Sequence, residues 1–173
     1  MISKFLLELH KESTKVMQSN HEEFWNAAKA NVYKITDEIY QGAFPTDSTR
    51  EYLASIGVTS FLNVSGEEID SSKGQECLSI LFRDGQTIPK KCIKQSLEYI
   101  DRCIKNGKKV FVHCTAGQNR SPTIVWLYLI NKNKSIDIAN KIIKGKTLDA
   151  MPGHPKLVGK SEVKYALNII LEP

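Results

Sequence analysis

The chain has 173 residues and a mass of 19.5 kDa, enough for one domain with a full hydrophobic core and too few for a second of ordinary size. Hydrophobic residues make up 41% and charged residues 25%, which excludes a disordered, collagen-like or disulfide-framework chain. The net charge of +5 is divided unevenly: residues 1–101 hold 11 Lys and Arg against 15 Asp and Glu (−4), and residues 102–173 hold 13 against 4 (+9), so the second part is expected to attract anions.

The start of the chain predicts an N-terminal helical extension over residues 1–31, in which residues 19–22 resemble a capping box. It lacks the features of a secretory signal, and we expect a single domain over residues 1–173. The longest central apolar run, residues 124–130, falls far short of the roughly 20 residues that span a bilayer. The cysteines contain no C-x-x-C pair, which argues against a zinc site and favours a reducing, cytoplasmic setting, with the nucleus left open; they are Cys77, Cys92, Cys103 and Cys114.

Short β-rich and helical segments alternate along the rest of the chain. Residues 32–35 and 38–41 are predicted as paired strands, and the capping pattern at residues 48–51 predicts a helix that ends at Gly57. Three more strands are predicted further on, over residues 58–64, 78–82 and 109–113.

Helices separate these strands and follow them. One is predicted to begin at Pro89 and to end at Gly107, and a strongly apolar one runs from about Ser121 to Asn131. Two or three further helices close the chain. Strands separated by helices predict an α/β fold with a mainly parallel central sheet flanked by helices, and a site at the carboxyl ends of the strands.

One segment, His113-Cys114-Thr115-Ala116-Gly117-Gln118-Asn119-Arg120-Ser121, joins the last predicted strand to the apolar helix. The backbone N–H groups of such a loop can form an anion-binding nest, to which the helix adds the positive end of its dipole. Arg120 can hold two phosphate oxygens, and this positive environment is expected to lower the pKa of Cys114 and populate the attacking thiolate. The alternative, a buried core cysteine, is weak because the loop has no apolar residue larger than Ala116.

The pattern His113-Cys114-x5-Arg120-Ser121 resembles the H-C-x5-R-[S/T] motif of cysteine-based protein tyrosine phosphatases, and the short chain resembles their dual-specificity branch over roughly residues 32–170. The resemblance implies a phosphatase P-loop in which Cys114 attacks phosphorus and Ser121 assists breakdown of the phosphocysteine. His113 would support the thiolate from beneath the loop. No metal or cofactor is implied. The phosphoryl oxygens would be bound by Thr115, Ala116, Gly117, Gln118, Asn119 and Arg120.

Such a mechanism needs a protonated acid for the leaving group, and Asp84 is the candidate. It stands 30 residues before Cys114, in a segment similar to the Asp-Gly-x-Thr-Pro acid loops of some dual-specificity phosphatases, with Ile88 inserted before Pro89. A solvated turn aspartate is the competing interpretation, and Asp70 is the fallback acid.

Phosphorylated protein is the expected substrate, with phosphotyrosine first and phosphoserine or phosphothreonine in addition. Asn119 also resembles the loop of RNA 5′-triphosphatases, so an RNA 5′ end stays open as a substrate, and residues 114–117 resemble glucan phosphatases. Lysines are absent from the loop, which counts against inositol lipids. A phospho-binding module without turnover is the remaining alternative.

Residues 141–160 hold five lysines and form either a substrate-facing basic patch or a solvated surface. The oligomeric state stays open.

Overall fold

A five-stranded sheet lies at the centre of the structure, a computed structural model that describes residues 26–70 and 74–171 together with Lys11, Lys15, Gln18 and Glu22. The strand order is β1-β2-β5-β3-β4; β1 pairs antiparallel with β2, and the other neighbouring strands run parallel. The expected mainly parallel α/β fold is therefore confirmed. The strands are β1 (Val32–Lys34), β2 (Ile39–Gly42), β3 (Val58–Asn63), β4 (Glu76–Ser79) and β5 (Lys109–His113).

Helices cover both faces of this sheet. In chain order they are α1 (Asp47–Ser55), α2 (Lys90–Lys105), α3 (Arg120–Asn133), α4 (Ile136–Lys146) and α5 (Lys160–Asn168). A small apolar cluster, which includes Leu53 and Phe61, joins α1 to one face. The main core lies on the other face, where α3 packs against α2, α4 and α5 and is buried along almost its whole length. The apolar run of residues 124–130 is thus a core helix, and no helix in the described part of the chain is long and apolar enough to cross a membrane.

The predicted bounds of helix α1 and strand β4 are wrong. Helix α1 is capped by Thr46, whose Oγ1 accepts from the Thr49 N–H at 3.2 Å, so the helix begins at Asp47 rather than at the pattern of residues 48–51. Strand β4 is Glu76–Ser79, whereas residues 78–82 were predicted from their apolar character. Residues 80–82 leave the sheet with Ile80 and Phe82 buried and Leu81 exposed, an alternation that imitates a strand.

The predicted N-terminal extension, residues 1–31, lies largely outside the described residues, as does most of the capping pattern at residues 19–22. The described positions Lys11, Lys15, Gln18 and Glu22 are helical, as are residues 26–29. The predicted start of α2 is also corrected, because Pro89 caps this helix and Lys90 is its first residue.

The position of β5 in the sheet determines where the functional loop emerges. β5 lies between β2 and β3, and its last residue, His113, is paired with Gly42 on one side and Asn63 on the other. Because all three strands are parallel, the segments that follow them meet at one edge of the sheet. The loop after β5 is therefore flanked by the segments after β2 and β3.

Candidate active site

The Cys114 loop, defined as residues 114–121, turns its cysteine inward beneath a backbone amide and a hydroxyl. Cys114 Sγ lies 3.3 Å from the Gly117 N–H and 3.3 Å from Ser121 Oγ, and both can donate to it. The side chain is only 2% exposed. A cysteine in this setting has the donors that stabilise a thiolate.

The end of β2 holds the Cys114 loop from below through backbone hydrogen bonds. The Cys114 N–H donates to the Gly42 carbonyl at 3.3 Å, and the Phe44 N–H donates to the Thr115 carbonyl at 3.1 Å. Gly117 has φ +75°, and a Cβ there would lie 2.7 Å from the Ala43 nitrogen, so only glycine allows this approach. The loop is thus anchored to the neighbouring strand before any ligand arrives.

Arg120, the first residue of α3, reaches across to the segment after β3. Its Nη1 donates to the carbonyls of Val64 and Ser65, and its Nη2 donates to Thr115 Oγ1 at 3.0 Å. The side chain is 8% exposed. These contacts hold the guanidinium, a fork suited to two phosphate oxygens, beside the loop.

Glu67, in the segment after β3, was missed by the sequence analysis. Its Oε1 accepts a hydrogen bond of 2.7 Å from Thr115 Oγ1, which in turn accepts from Arg120. The signal that could have found it is its position after a strand that neighbours β5 in a parallel sheet. Sequence spacing alone ranked Asp84 and Asp70 and overlooked this carboxylate.

Asp84 and Arg120 line the same cavity, of about 450 Å³. Asp84 is exposed, and its Oδ1 accepts from the adjacent Gly85 N–H at 2.9 Å, within the acid loop, defined as residues 80–89. The Ile88 N–H anchors this loop by donating to the Leu157 carbonyl at 2.8 Å. Asp70 does not line the cavity. The cavity wall consists of Ser65, Gly66, Leu81, Phe82, Arg83, Asp84 and Arg120.

The far side of the Cys114 loop contacts the segment after α4. Gln118 Nε2 donates to Asp149 Oδ2 at 2.8 Å, and the Met151 N–H donates to the Gln118 carbonyl at 2.8 Å. Leu148 is 93% exposed and Met151 is 47% exposed. This segment belongs to the lysine-rich stretch 141–160, and its exposed apolar residues lie next to the Cys114 loop.

The two remaining loop residues of the predicted phosphate site, Ala116 and Asn119, differ in exposure. Ala116 is exposed at the rim together with Thr115, while Asn119 is half-buried and precedes α3. The Oδ1 of Asn119 finds no hydrogen-bond partner among the described residues. In the same part of the chain, His, Cys, Asp and Glu side chains form no group of three or more that could hold a metal ion.

His113 lies beneath the loop inside an aromatic cage. Its ring stacks on Phe111 at a centroid distance of 5.4 Å and meets Phe44 edge-on at 5.2 Å. Burial, with a smaller contribution from the charge of Arg50, lowers the pKa of His113 to about 3. Neither ring nitrogen has a hydrogen-bond partner among the described residues, so the ring is a neutral support.

A thiol that contacts a loop amide at the end of a parallel strand, followed by an arginine that opens the next helix, is the arrangement expected of the cysteine-based phosphatase class. Residues 39–155 match the family described as "Dual specificity phosphatase, catalytic domain". This match covers more than half of the chain, and the protein belongs to that family, which confirms the resemblance seen in the sequence.

Curated proteins support the same family. Dual specificity protein phosphatase 1-A of Xenopus laevis is 30% identical over 114 residues, covering 64% of this chain and 31% of that protein. Dual specificity protein phosphatase 5 of Rattus norvegicus is 33% identical over 99 residues, covering 56% and 26%. The chain thus spans less than a third of the length of these two relatives.

Solved structures show the same fold. Human DUSP28 superposes with a TM-score of 0.67 at 19% identity, covering 79% of this chain and 92% of that one. PTPMT1 in complex with PI(5)P superposes with a TM-score of 0.62 at 20% identity, with the same coverage of 79% and 92%. At these identities the likeness concerns the fold.

Proposed function

We propose that this protein hydrolyses phosphate monoesters through a phosphocysteine at Cys114, and that its substrate is phosphorylated protein, first of all phosphotyrosine. The observation that carries the proposal is the cavity that Asp84 and Arg120 both line, since Arg120 belongs to the Cys114 loop. A bound phosphoryl group there would meet a nucleophile, an anion-binding fork and an acid.

In the first step the Cys114 thiolate attacks phosphorus, so the Sγ–P bond forms and the bond from phosphorus to the leaving oxygen breaks. Asp84, in its protonated form, gives its proton to that oxygen. Arg120 and the N–H groups of the Cys114 loop bind the three phosphoryl oxygens, where negative charge must be stabilised in the transition state. Thr115 to Asn119 form the backbone of this cradle.

In the second step water attacks phosphorus and the Sγ–P bond breaks, which returns the electron pair to sulfur. The Asp84 carboxylate accepts the proton of the water. Ser121 Oγ, at 3.3 Å from Sγ, donates to the thiolate as it leaves. Every proton and electron pair is therefore accommodated by groups of this chain, the substrate and water, without a metal.

The wall of the site supports a peptide as the carrier of the phosphate. Leu148 and Met151 are exposed apolar residues on a segment hydrogen-bonded to Gln118, and Leu81 is exposed on the acid loop. Apolar side chains on both sides of a phosphate site fit the residues that flank a phosphorylated side chain. The cysteines are all free, in keeping with a thiolate enzyme of the reducing cytoplasm.

A substrate panel tests the proposal. The wild-type protein, Cys114→Ser and the matched control Cys77→Ser are each assayed against four phosphate donors: a phosphotyrosine peptide, a phosphothreonine peptide, phosphoinositide vesicles and triphosphorylated RNA. We expect the highest kcat/KM on the phosphotyrosine peptide, full loss of turnover in Cys114→Ser, and retained activity in Cys77→Ser. Activity in Cys114→Ser overturns the mechanism, and a preference for vesicles or RNA overturns the substrate class.

A further inference from the structure

Gln41, the third residue of β2, lies fully buried beneath the Cys114 loop and uses both of its amide hydrogens there. Its Nε2 donates to the Gly117 carbonyl at 2.8 Å and to Ser121 Oγ at 2.9 Å. The side chain has 0% exposure. One amide group thus joins the middle of the loop to the hydroxyl that follows Arg120. Gly117 and Ser121 lie 76 and 80 positions after Gln41 in the sequence.

The chemistry of the neighbours determines the orientation of this amide. With the oxygen and nitrogen of Gln41 exchanged, its oxygen would face the Gly117 carbonyl, and two acceptors would repel each other. In the orientation observed, Gln41 Oε1 has no hydrogen-bond partner among the described residues. A buried acceptor without a partner is unfavourable, so the two hydrogen bonds donated by Nε2 maintain this arrangement.

Gln41 limits what the Ser121 hydroxyl can do. Because Ser121 Oγ accepts from Gln41, its single hydrogen points elsewhere, and two acceptors are within reach: the Gly42 carbonyl at 3.1 Å and Cys114 Sγ at 3.3 Å. A thiolate is a charged acceptor, and hydrogen bonds to charged acceptors are stronger than those to neutral carbonyls. The hydroxyl hydrogen therefore turns to sulfur whenever sulfur bears the charge.

We propose that Gln41 is a positioning residue that directs the Ser121 hydroxyl toward Cys114 Sγ and so favours breakdown of the phosphocysteine. The proposal rests on the phosphocysteine mechanism given above. In that step the Sγ–P bond breaks, water oxygen bonds to phosphorus, Asp84 takes the proton and sulfur receives the electron pair. Gln41 touches neither substrate nor sulfur, and it acts through Ser121.

Two substitutions separate this role from a structural one. Gln41→Met keeps the volume and removes both donors, and Gln41→Glu keeps the shape but offers acceptors that draw the Ser121 hydrogen away from sulfur. The matched control is Asn131→Leu, which removes a buried amide that donates to the Ala166 and Ile169 carbonyls away from the site. Gln41→Leu, which also removes both donors and places no acceptor beside the Gly117 carbonyl, serves should Gln41→Met not fold.

Kinetics with an aryl phosphate of good leaving group distinguish the two chemical steps. We expect kcat to fall about tenfold in both Gln41 variants, with kcat/KM changed less than about threefold and a burst of one equivalent of product. Asn131→Leu should lower stability and leave the ratio of kcat to kcat/KM as in the wild type. Equal falls in kcat and kcat/KM in the Gln41 variants overturn the inference.

A double-mutant cycle tests whether Gln41 acts through Ser121. In a Ser121→Ala background, adding Gln41→Met should change kcat less than about twofold, since the hydroxyl that it orients is gone. Full additivity of the two effects overturns the inference. The cycle does not depend on which phosphorylated molecule is the natural substrate.

Alkylation of Cys114 by iodoacetamide gives a readout that needs no turnover. Gln41→Met should slow alkylation at neutral pH measurably but by less than about threefold, in line with kcat/KM, because the Ser121 hydroxyl that contacts Sγ is no longer held in place. An unchanged rate overturns the inference. If the wild-type protein hydrolyses no phosphate ester, the proposed function fails, and the alkylation rates still decide the role of Gln41.

Discussion

Thr115 Oγ1 donates a hydrogen bond of 2.7 Å to the carboxylate of Glu67, so an acidic side chain stands at the rim of a site built for anions. The two residues are 48 positions apart and belong to the segments after β5 and β3. Their pairing gives the loop an ordered rim, and it also places a negative charge where a phosphate would enter.

Replacing Glu67 by Gln removes this charge and keeps the acceptor for Thr115. We expect KM for an aryl phosphate to fall about threefold with kcat unchanged, since a surface charge repels a dianion only weakly through water. The control Glu68→Gln removes the same charge one residue further along. The difference between wild type and Glu67→Gln should shrink at about 0.5 M NaCl. A rise in KM would show that the carboxylate organises the loop rather than opposing the substrate.

Asp84→Asn should remove proton donation to the leaving group. We expect kcat/KM to fall about a hundredfold for an alkyl phosphate with a poor leaving group, and much less for a nitrophenyl phosphate, whose phenoxide leaves unaided. The matched control, Asp70→Asn, should stay within about twofold of the wild type. A leaving-group dependence unchanged by Asp84→Asn would point to a mechanism without this acid, as expected for an RNA 5′-triphosphatase.

Because the imidazole of His113 is buried, we expect the protein to lose stability in mild acid. Its pKa is lowered from 6.5 to about 3 in the folded protein, so between these values the unfolded chain binds a proton that the folded one does not. The free energy of unfolding should therefore fall by about 2 kcal/mol from pH 6.5 to about pH 4.5.

Urea unfolding at a series of pH values checks this expectation. His113→Phe keeps a ring between Phe44 and Phe111 but cannot be protonated. The slope of its unfolding free energy against pH should therefore correspond to about one proton fewer than the slope of the wild type. Identical pH slopes for the two proteins would refute the assignment of the transition to His113.

Gly117→Ala should lower both stability and activity by more than its positive φ angle alone would explain. Gly117 and Gly107 both have positive φ angles, +75° and +68°. A Cβ added at Gly117 would lie 2.7 Å from the Ala43 backbone nitrogen, whereas a Cβ added at Gly107 would meet nothing within 4 Å. Gly107→Ala should therefore cost about 1 kcal/mol with activity retained. Gly117→Ala should cost more and reduce kcat/KM more than about tenfold, because the loop must shift. Urea unfolding and aryl phosphate assays compare them, and equal behaviour of the two variants would contradict the close approach.

The sequence predicted the elements whose signals are local. The strand Lys109–His113 has the predicted bounds because a β-branched run lies between a helix-ending glycine and a loop. Cys114, Gly117 and Arg120 could be found because they share one contiguous segment with a specific spacing. The bounds of β4 were misjudged, since burial of Ile80 and Phe82 outside the sheet produces the same apolar alternation as a strand.

Gln41 and Glu67 had no such signal. Gln41 contacts the Cys114 loop from β2 and Glu67 contacts it from the segment after β3, and only the order β2-β5-β3 brings these parts of the chain to either side of the loop. The alternation of predicted strands and helices indicated the α/β fold, and one nine-residue motif predicted a cysteine nucleophile. The partners of Ser121 and Thr115 depend on strand order and side-chain packing, which arise from long-range contacts that periodicity and spacing do not encode.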